Sequence, residues 1–210
     1  MREGTADLTG CFLCDPEREW TWKESENFRA VLGLGPIGQG YTLIATREHL
    51  PSMFDLDWDL AHELDVFSRS VQQAISEIWG PSVVCEHGRV APCVAAATRR
   101  HEPHCLHAHR LVFPGQRWLD LRRVAPKMTV AEFSSFPEAH DALRWRGQYV
   151  YVQGADGQCQ IGLVDGPIPR QFLRAAVAAQ AGCRELADWR HSPRREQVDE
   201  AREMLARVVG

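Results

Sequence analysis

The stretch that decides the fold is His104-Cys105-Leu106-His107-Ala108-His109-Arg110-Leu111-Val112-Phe113-Pro114, which holds three of the nine histidines in this 210-residue chain. Residues 106–113 are apolar, β-branched and aromatic in character and are followed by a Pro-Gly step, a pattern that predicts a strand. Because side chains alternate between the two faces of a strand, His107, His109 and Leu111 should share one side. Two imidazoles therefore converge there, either as surface residues or as a metal ligand beside a nucleophile.

Bulk composition is that of an ordinary globular protein, with 44% hydrophobic and 25% charged residues in a length that fits one large domain or a domain with an appendage. The net charge of −4 argues against stable nucleic-acid binding but allows a small nucleotide ligand. No apolar run approaches the ~20 residues that a membrane span needs, and residues 1–7 contain no apolar signal core. We therefore expect a cytoplasmic protein, in which seven cysteines favour metal binding over disulfides.

Hydrophobic periodicity predicts the elements before the histidine strand. Strands over 28–34 and 41–46 flank a turn rich in glycine and should pair antiparallel. Apolar residues at three- and four-residue steps predict a long amphipathic helix over 57–79, which Gly80-Pro81 ends. A further strand is expected over 82–88, followed by a loop over 89–104 that is long enough to be functional.

After the histidine strand, the sequence predicts a second set of helices and strands. The expected elements are a strand or short helix near 118–121, a short helix around 138–144, strands over 148–153 and 159–164, a helix over 169–181 and a final helix over 196–208. The hairpin between the two strands is indicated by Gly154-Ala155-Asp156-Gly157.

Several separate segments resemble the histidine-triad (HIT) superfamily. The Cys11-x-x-Cys14 pair resembles an amino-terminal zinc knuckle, and residues 26–49 resemble the family's strand–turn–strand that ends in a Lys-Glu-His-like step. Glu86-His87-Gly88, the cysteine-containing loop and His-Ala-His resemble a long bacterial form. The run Pro169-x-Gln171-Phe172-x-Arg174 resembles the carboxy-terminal extension of that form and of CwfJ-like proteins.

The resemblance implies an α+β fold, in which an antiparallel sheet carries the histidine strand and one long helix packs on the sheet. Residues 1–115 would form the HIT-like catalytic domain, and residues 116–210 would form an α/β extension packed on it. Members of the superfamily commonly dimerise, so a homodimer is expected. The nucleotide itself would contact Asn27, Phe28 and Leu43 in the strand–turn–strand.

The family signature is His-φ-His-φ-His-φ-φ, commonly followed by proline, and alignment on Pro114 places His107 first and His109 second. Leu111 then occupies the third position, so the triad is incomplete. A second register would place Cys105, His107 and His109 in the three positions, but it leaves two extra residues before the proline. Both registers remain open at this point.

The resemblance implies that His109 attacks the α-phosphorus of a nucleotide and forms a covalent nucleotidyl-histidine, which water, phosphate or a sugar phosphate then accepts. A neutral imidazole suits this role, provided that an acceptor holds the proton of its other nitrogen. The leading function is therefore a nucleotide hydrolase or nucleotidyltransferase. Two alternatives are a non-catalytic nucleotide- or RNA-binding protein and a HIT enzyme that runs another reaction in a biosynthetic pathway.

A structural zinc ion is implied by the galactose-1-phosphate uridylyltransferase branch of the superfamily. Carried onto this chain, its ligands are Cys11, Cys14, His49 and His107, a Cys2His2 set that closes a tetrahedral site. Such an ion would brace the strand that presents His109. Rival ligands come from His101, His104 and Cys105, and His49 could instead be a helix-capping or solvated residue.

Leu111 is the main departure from the family, because leucine cannot donate or accept a hydrogen bond. Another group must then contact the substrate phosphate, or the chemistry differs. Candidates near the strand end are His87, Arg99 and Arg100, together with His104 and Arg110, which we assign to phosphate binding. Gln171 and Arg174, three residues apart on one helical face, are assigned the same role, with packing or pairing to acidic neighbours as the alternative.

Overall fold

A computed structural model of the chain describes residues 13, 14, 16, 18–89, 107–143, 147–169 and 171–209. The described residues form one antiparallel sheet with helices on both sides, which confirms the α+β class expected from the sequence. None of the helices in these ranges is both long and apolar enough to cross a membrane.

The sheet has eight strands in the order β1-β2-β3-β5-β4-β7-β8-β6, and every neighbouring pair is antiparallel. The strands are β1 (Thr21–Glu24), β2 (Phe28–Leu32), β3 (Thr42–Thr46), β4 (Ser82–Gly88), β5 (His109–Pro114), β6 (Thr129–Phe133), β7 (Tyr149–Gln153) and β8 (Cys159–Leu163). The helices are α1 (Trp58–Trp79), α2 (Leu121–Val124), α3 (Phe136–Ala142), α4 (Phe172–Gln180) and α5 (Arg195–Val209).

Helix α1 covers one side of the sheet, which we call the α1 face and which carries Val84, Arg110 and Val112. The Asp57 side chain caps the helix by accepting from the Leu60 amide at 2.9 Å. The apolar stripe of α1 buries Leu64, Phe67, Val71 and Ile75 against the sheet. Helix α3 packs against α1 on the same side. Burial of that stripe, rather than helix propensity alone, stabilises a helix of this length.

The opposite side of the sheet, the His109 face, carries Cys85, His109 and Leu111. Leu43, Phe113, Val150 and Val152 are buried on this face beneath Leu173 and Val177 of α4. The segment after residue 115 therefore contributes the cover of the face on which the histidines lie.

The carboxy-terminal extension adds to the same sheet instead of forming a separate one. Strand β7 pairs with β4 over Val84↔Gln153 to Gly88↔Tyr149, and β8 and β6 follow outward. The expected division at residue 115 thus falls within one continuous sheet, because backbone hydrogen bonds join the two sides of that boundary. A Cβ on Gly88 would lie 2.0 Å from the Tyr149 ring, so this close approach requires glycine.

Candidate functional site

Three predicted metal ligands converge at the start of β5. The Cys14 thiol lies 3.1 Å from Nδ1 of His49 and 3.4 Å from Nδ1 of His107. The three ligand atoms all lie within 4.8 Å of one another. A tetrahedral zinc ion separates a sulfur from a nitrogen ligand by about 3.5 Å, given its usual bond lengths. The cluster can therefore hold a metal ion.

The second nitrogen of His107 fixes how its ring is turned. Nε2 lies 2.7 Å from the Thr46 carbonyl, and since a carbonyl only accepts, Nε2 carries the proton. Nδ1 is then free of the proton and points its lone pair towards Cys14. Burial lowers the pKa of His107 to about 4, so the ring is neutral, as a metal ligand must be.

Cys11, the expected fourth ligand, and His104, an expected phosphate ligand, lie outside the described residues, as do Arg99, Arg100, His101 and Cys105. Their assignments stay predictions.

His109 begins β5 and has the opposite tautomer from His107. Its Nδ1–H donates to the carbonyl of His107 at 2.7 Å, which leaves the lone pair on Nε2. Burial lowers its pKa below the ordinary value, so the ring is neutral at pH 7. Half-buried on the His109 face, this ring has the protonation pattern of a nitrogen nucleophile.

The neighbours of His109 on its face come from four strands. Ala45 of β3 pairs directly with it, and Leu111 follows two residues later on β5. On β4 the pairing runs to Glu86↔Arg110, so the next residue, His87, lies opposite His109. Val150 of β7 pairs with His87 in turn. Leu111 is partly buried with the apolar cluster of this face, and it presents no polar group.

Arg110 points to the other side of the sheet. Its side chain is fully buried, pairs with Glu86 at 3.5 Å, donates to Ser68 at 3.2 Å and stacks on Phe136 at 4.0 Å. Residues one apart on a strand face opposite ways, so Arg110 cannot share a site with His109. The expectation that Arg110 binds substrate phosphate is therefore corrected: it is a core residue on the α1 face.

Gln171 and Arg174 serve the packing of the extension. The Gln171 amide donates to Asp188 at 2.9 Å. The Arg174 guanidinium, 5% exposed, donates to the carbonyls of Ala187, Leu186 and Gly35 at 2.9, 2.9 and 2.5 Å. Because most of their donors bond to protein oxygens, both side chains act in packing, and their role in phosphate contact stays a prediction.

The three residues predicted to contact the nucleotide separate in the structure. Asn27 donates to Glu63 of α1 at 2.7 Å, and Phe28 is fully buried against Phe67 on the α1 face. Leu43 pairs with Leu111 and lies on the His109 face. Leu43 is thus the member of this set whose position is compatible with the predicted role.

Arg29 is a residue of this face that no sequence motif indicates. It pairs with Ala45, which pairs with His109, so the three residues form a row across β2, β3 and β5. One guanidinium nitrogen donates to the Cys14 carbonyl at 3.3 Å, and its Nε is buried without a partner among the described residues. Alternation in β2 indicates its face, but only the register with β3 shows that it neighbours the histidines.

Comparison with known proteins gives a structural likeness but no family match. No family model matches the chain, and no curated protein matches it. A crystal structure of a hypothetical histidine triad nucleotide-binding protein from Sulfolobus tokodaii is similar at 19% identity, with a TM-score of 0.30 and coverage of 45% of this chain. The chain spans 59% of the length of that protein. A TM-score this low supports no inference about the site, which rests on its own geometry.

Proposed function

We propose that the protein is a HIT-type nucleotide phosphoester or phosphoanhydride hydrolase, or a nucleotidyltransferase, that acts through His109. The observation that carries the proposal is the 2.7 Å hydrogen bond from His109 Nδ1 to the His107 carbonyl. That bond fixes the ring and leaves Nε2 with its lone pair on the His109 face. A nucleophile held in one tautomer by a backbone acceptor needs no reorganisation before attack.

The proposed reaction has two displacements at phosphorus. Nε2 of His109 attacks the α-phosphorus, an N–P bond forms, and the bond from phosphorus to the leaving group breaks. The leaving group departs with the electron pair and takes up a proton. Water, phosphate or a sugar phosphate then attacks the same phosphorus, the N–P bond breaks, and the acceptor's proton is released. His109 is regenerated with its lone pair.

We further propose that Cys14, His49 and His107 bind a structural zinc ion, with Cys11 as the fourth ligand. The ion would cross-link the chain and would not activate water, because four protein ligands leave no open coordination position. His49 follows β3, and His107 precedes β5, so the cluster ties together the ends of two paired strands. It also fixes the residue whose carbonyl holds His109.

The test compares turnover by wild-type protein and by H109A on the 5′-phosphoramidates of the four common nucleosides and on dinucleoside polyphosphates. We expect turnover of at least one substrate class by the wild type, and a loss of about 10⁴-fold or more in H109A, as for other removed nucleophiles. H191A is the matched control, since His191 is exposed on the loop before α5. H109A with wild-type activity would exclude the mechanism.

A non-catalytic nucleotide-binding protein is the second candidate, and Leu111 is the observation that favours it. Its apolar side chain lies beside His109 where the family has a polar residue. Tight binding of nucleoside monophosphates by wild type without any turnover would support this candidate. A homodimer and a cytoplasmic location remain predictions.

A further inference from the structure

We propose that His87 contacts the phosphoryl group attacked by His109 and thereby supplies the polar contact that Leu111 lacks. The inference rests on the proposed function and adds a substrate-binding residue from a neighbouring strand. His87 belongs to β4, outside the His-Ala-His motif.

Strand pairing places His87 beside the proposed nucleophile. The antiparallel register between β4 and β5 runs through Cys85↔Leu111 and Glu86↔Arg110, and one further step sets His87 opposite His109. Directly opposed residues in such a pair have Cβ atoms about 4.5–5.5 Å apart. Leu111, two residues along β5 from His109, is about 7 Å away along the strand. Both positions therefore flank His109 on the same face.

Among the described residues, one buried nitrogen of the His87 ring has no hydrogen-bond partner. Its Nε2 is inaccessible to solvent and makes no hydrogen bond within the described part of the chain. A buried polar atom of this kind costs free energy unless something pairs with it. An anionic phosphate oxygen held at His109 would provide the missing partner, with Nε2–H of His87 as donor.

The ring is held in place by the carboxy-terminal extension. Phe172, the first residue of α4, stacks on it at 5.9 Å between ring centroids and 7° between planes. Gln171 before it adopts a left-handed backbone conformation with φ of 55°, which sets the direction in which α4 starts. Burial lowers the pKa of His87 to about 4, so the ring is neutral and has one N–H to donate.

The other described candidates make their hydrogen bonds away from His109. Arg110 lies on the α1 face, and Arg174 donates to three backbone carbonyls. Arg29 lies two strands from His109 and donates to the Cys14 carbonyl. His87 is thus the immediate polar neighbour across the strand pair.

The experiment uses the full chain with H87F, H87Q and the double variant H87F/L111Q. Phenylalanine keeps the stack on Phe172 and removes the donor, whereas glutamine restores an N–H near the Nε2 position. Circular dichroism melting first establishes that each variant is folded. The nucleoside 5′-phosphoramidate that wild type turns over best is the substrate, and the corresponding nucleoside 5′-monophosphate is the binding probe for calorimetry.

We expect H87F to lose about 10²-fold in kcat/KM, the usual effect of removing one preorganised donor, and to bind the monophosphate about tenfold more weakly. H87Q should stay within about tenfold of wild type, and L111Q should recover most of the activity lost in H87F. Recovery by a residue at the third motif position would not occur if His87 only packed against Phe172.

The outcomes separate this inference from the proposed function. Unchanged turnover and binding in H87F would overturn the role of His87 and leave His109 as nucleophile. Equal loss in H87F and H87Q, with no recovery by L111Q, would also overturn it. If wild type binds the monophosphates without turning over any substrate, the proposed catalytic function fails. In that case, binding that is weaker in H87F but not in H87Q still supports the His87 contact. Wild type that neither binds nor turns over any probe would overturn both.

Discussion

Two histidines separated by one alanine take opposite tautomers, and this difference assigns them different roles. His107 carries its proton on Nε2, towards the Thr46 carbonyl, and turns Nδ1 to Cys14. His109 carries its proton on Nδ1, towards the His107 carbonyl, and keeps the lone pair on Nε2. One backbone carbonyl therefore links the proposed metal ligand to the proposed nucleophile.

Removal of one metal ligand should empty the proposed site. We expect purified wild type to contain about one zinc per chain, and C14S to contain less than about half of that, since serine is a poor zinc ligand. Metal content is measured by inductively coupled plasma mass spectrometry. C183S is the matched control, because Cys183 is another half-buried cysteine and lies after α4. Equal zinc in C14S and C183S would contradict the assignment.

For single residues, strand alternation was a better guide to position than charge. Alternation alone places His109 and Leu111 on one face and Arg110 on the other, so the position of Arg110 followed from the strand. Its positive charge and proximity to the motif favoured a phosphate role, but Glu86, the buried residue that pairs with it, lies on a different strand. Arg29 was missed for the complementary reason, since its closeness to His109 depends on two strand registers.

A buried polar network on the α1 face holds strands β4 and β5 together. Glu86 and Arg110 are both fully buried and lie 3.5 Å apart. Glu86 also accepts from the Tyr149 hydroxyl and from the Met53 amide at 3.1 Å. Burial raises the pKa of Glu86, while Arg110 and these donors oppose that shift. Because these residues alternate with His87 and His109, the network holds the strands that present the two imidazoles.

Loss of one member of this pair should destabilise the whole protein. E86L leaves the Arg110 guanidinium buried without its counter-charge, which typically costs about 3–5 kcal/mol. The double variant E86L/R110M removes both charges, and we expect its free energy of unfolding to lie much closer to wild type. Urea unfolding measures both. An E86L variant as stable as wild type would show that the pair contributes little.

Element bounds were predictable where the local pattern was strong. The expected helix over 57–79 is observed as Trp58–Trp79, and the expected strand over 82–88 as Ser82–Gly88, because periodicity and the Gly80-Pro81 stop are local signals. The histidine strand begins later than expected, at His109, since the backbone of Ala108 donates to Leu50 instead of joining the sheet. That contact is long-range and leaves no local pattern.

At the scale of the whole molecule, residues from both sides of position 115 build one core. The apolar cluster under α1 contains Phe136, Tyr149, Tyr151 and Ile161 together with Phe28 and Leu64. The His109 face is covered by Leu173 and Val177 of α4. The sequence predicted β7 and β8 as strands but not their place beside β4, because pairing between distant strands depends on tertiary contacts.

This shared core predicts that residues 1–115 do not fold alone. The fragment would leave the β4 edge without β7 and would expose the apolar surfaces of both faces. We expect the fragment to give a poorly dispersed amide NMR spectrum and no cooperative thermal unfolding. The full chain should unfold cooperatively. A well-dispersed, cooperatively melting fragment would show that residues 1–115 are an independent domain.

The covalent role of His109 is measured most directly by the mass of the protein, quenched in acid-free denaturant during turnover of a nucleoside phosphoramidate, followed by peptide mapping. We expect an adduct of one nucleoside monophosphate on His109, with none on His107 and none in H109A. An adduct on His107, or turnover that continues in H109A with no adduct at all, would contradict it.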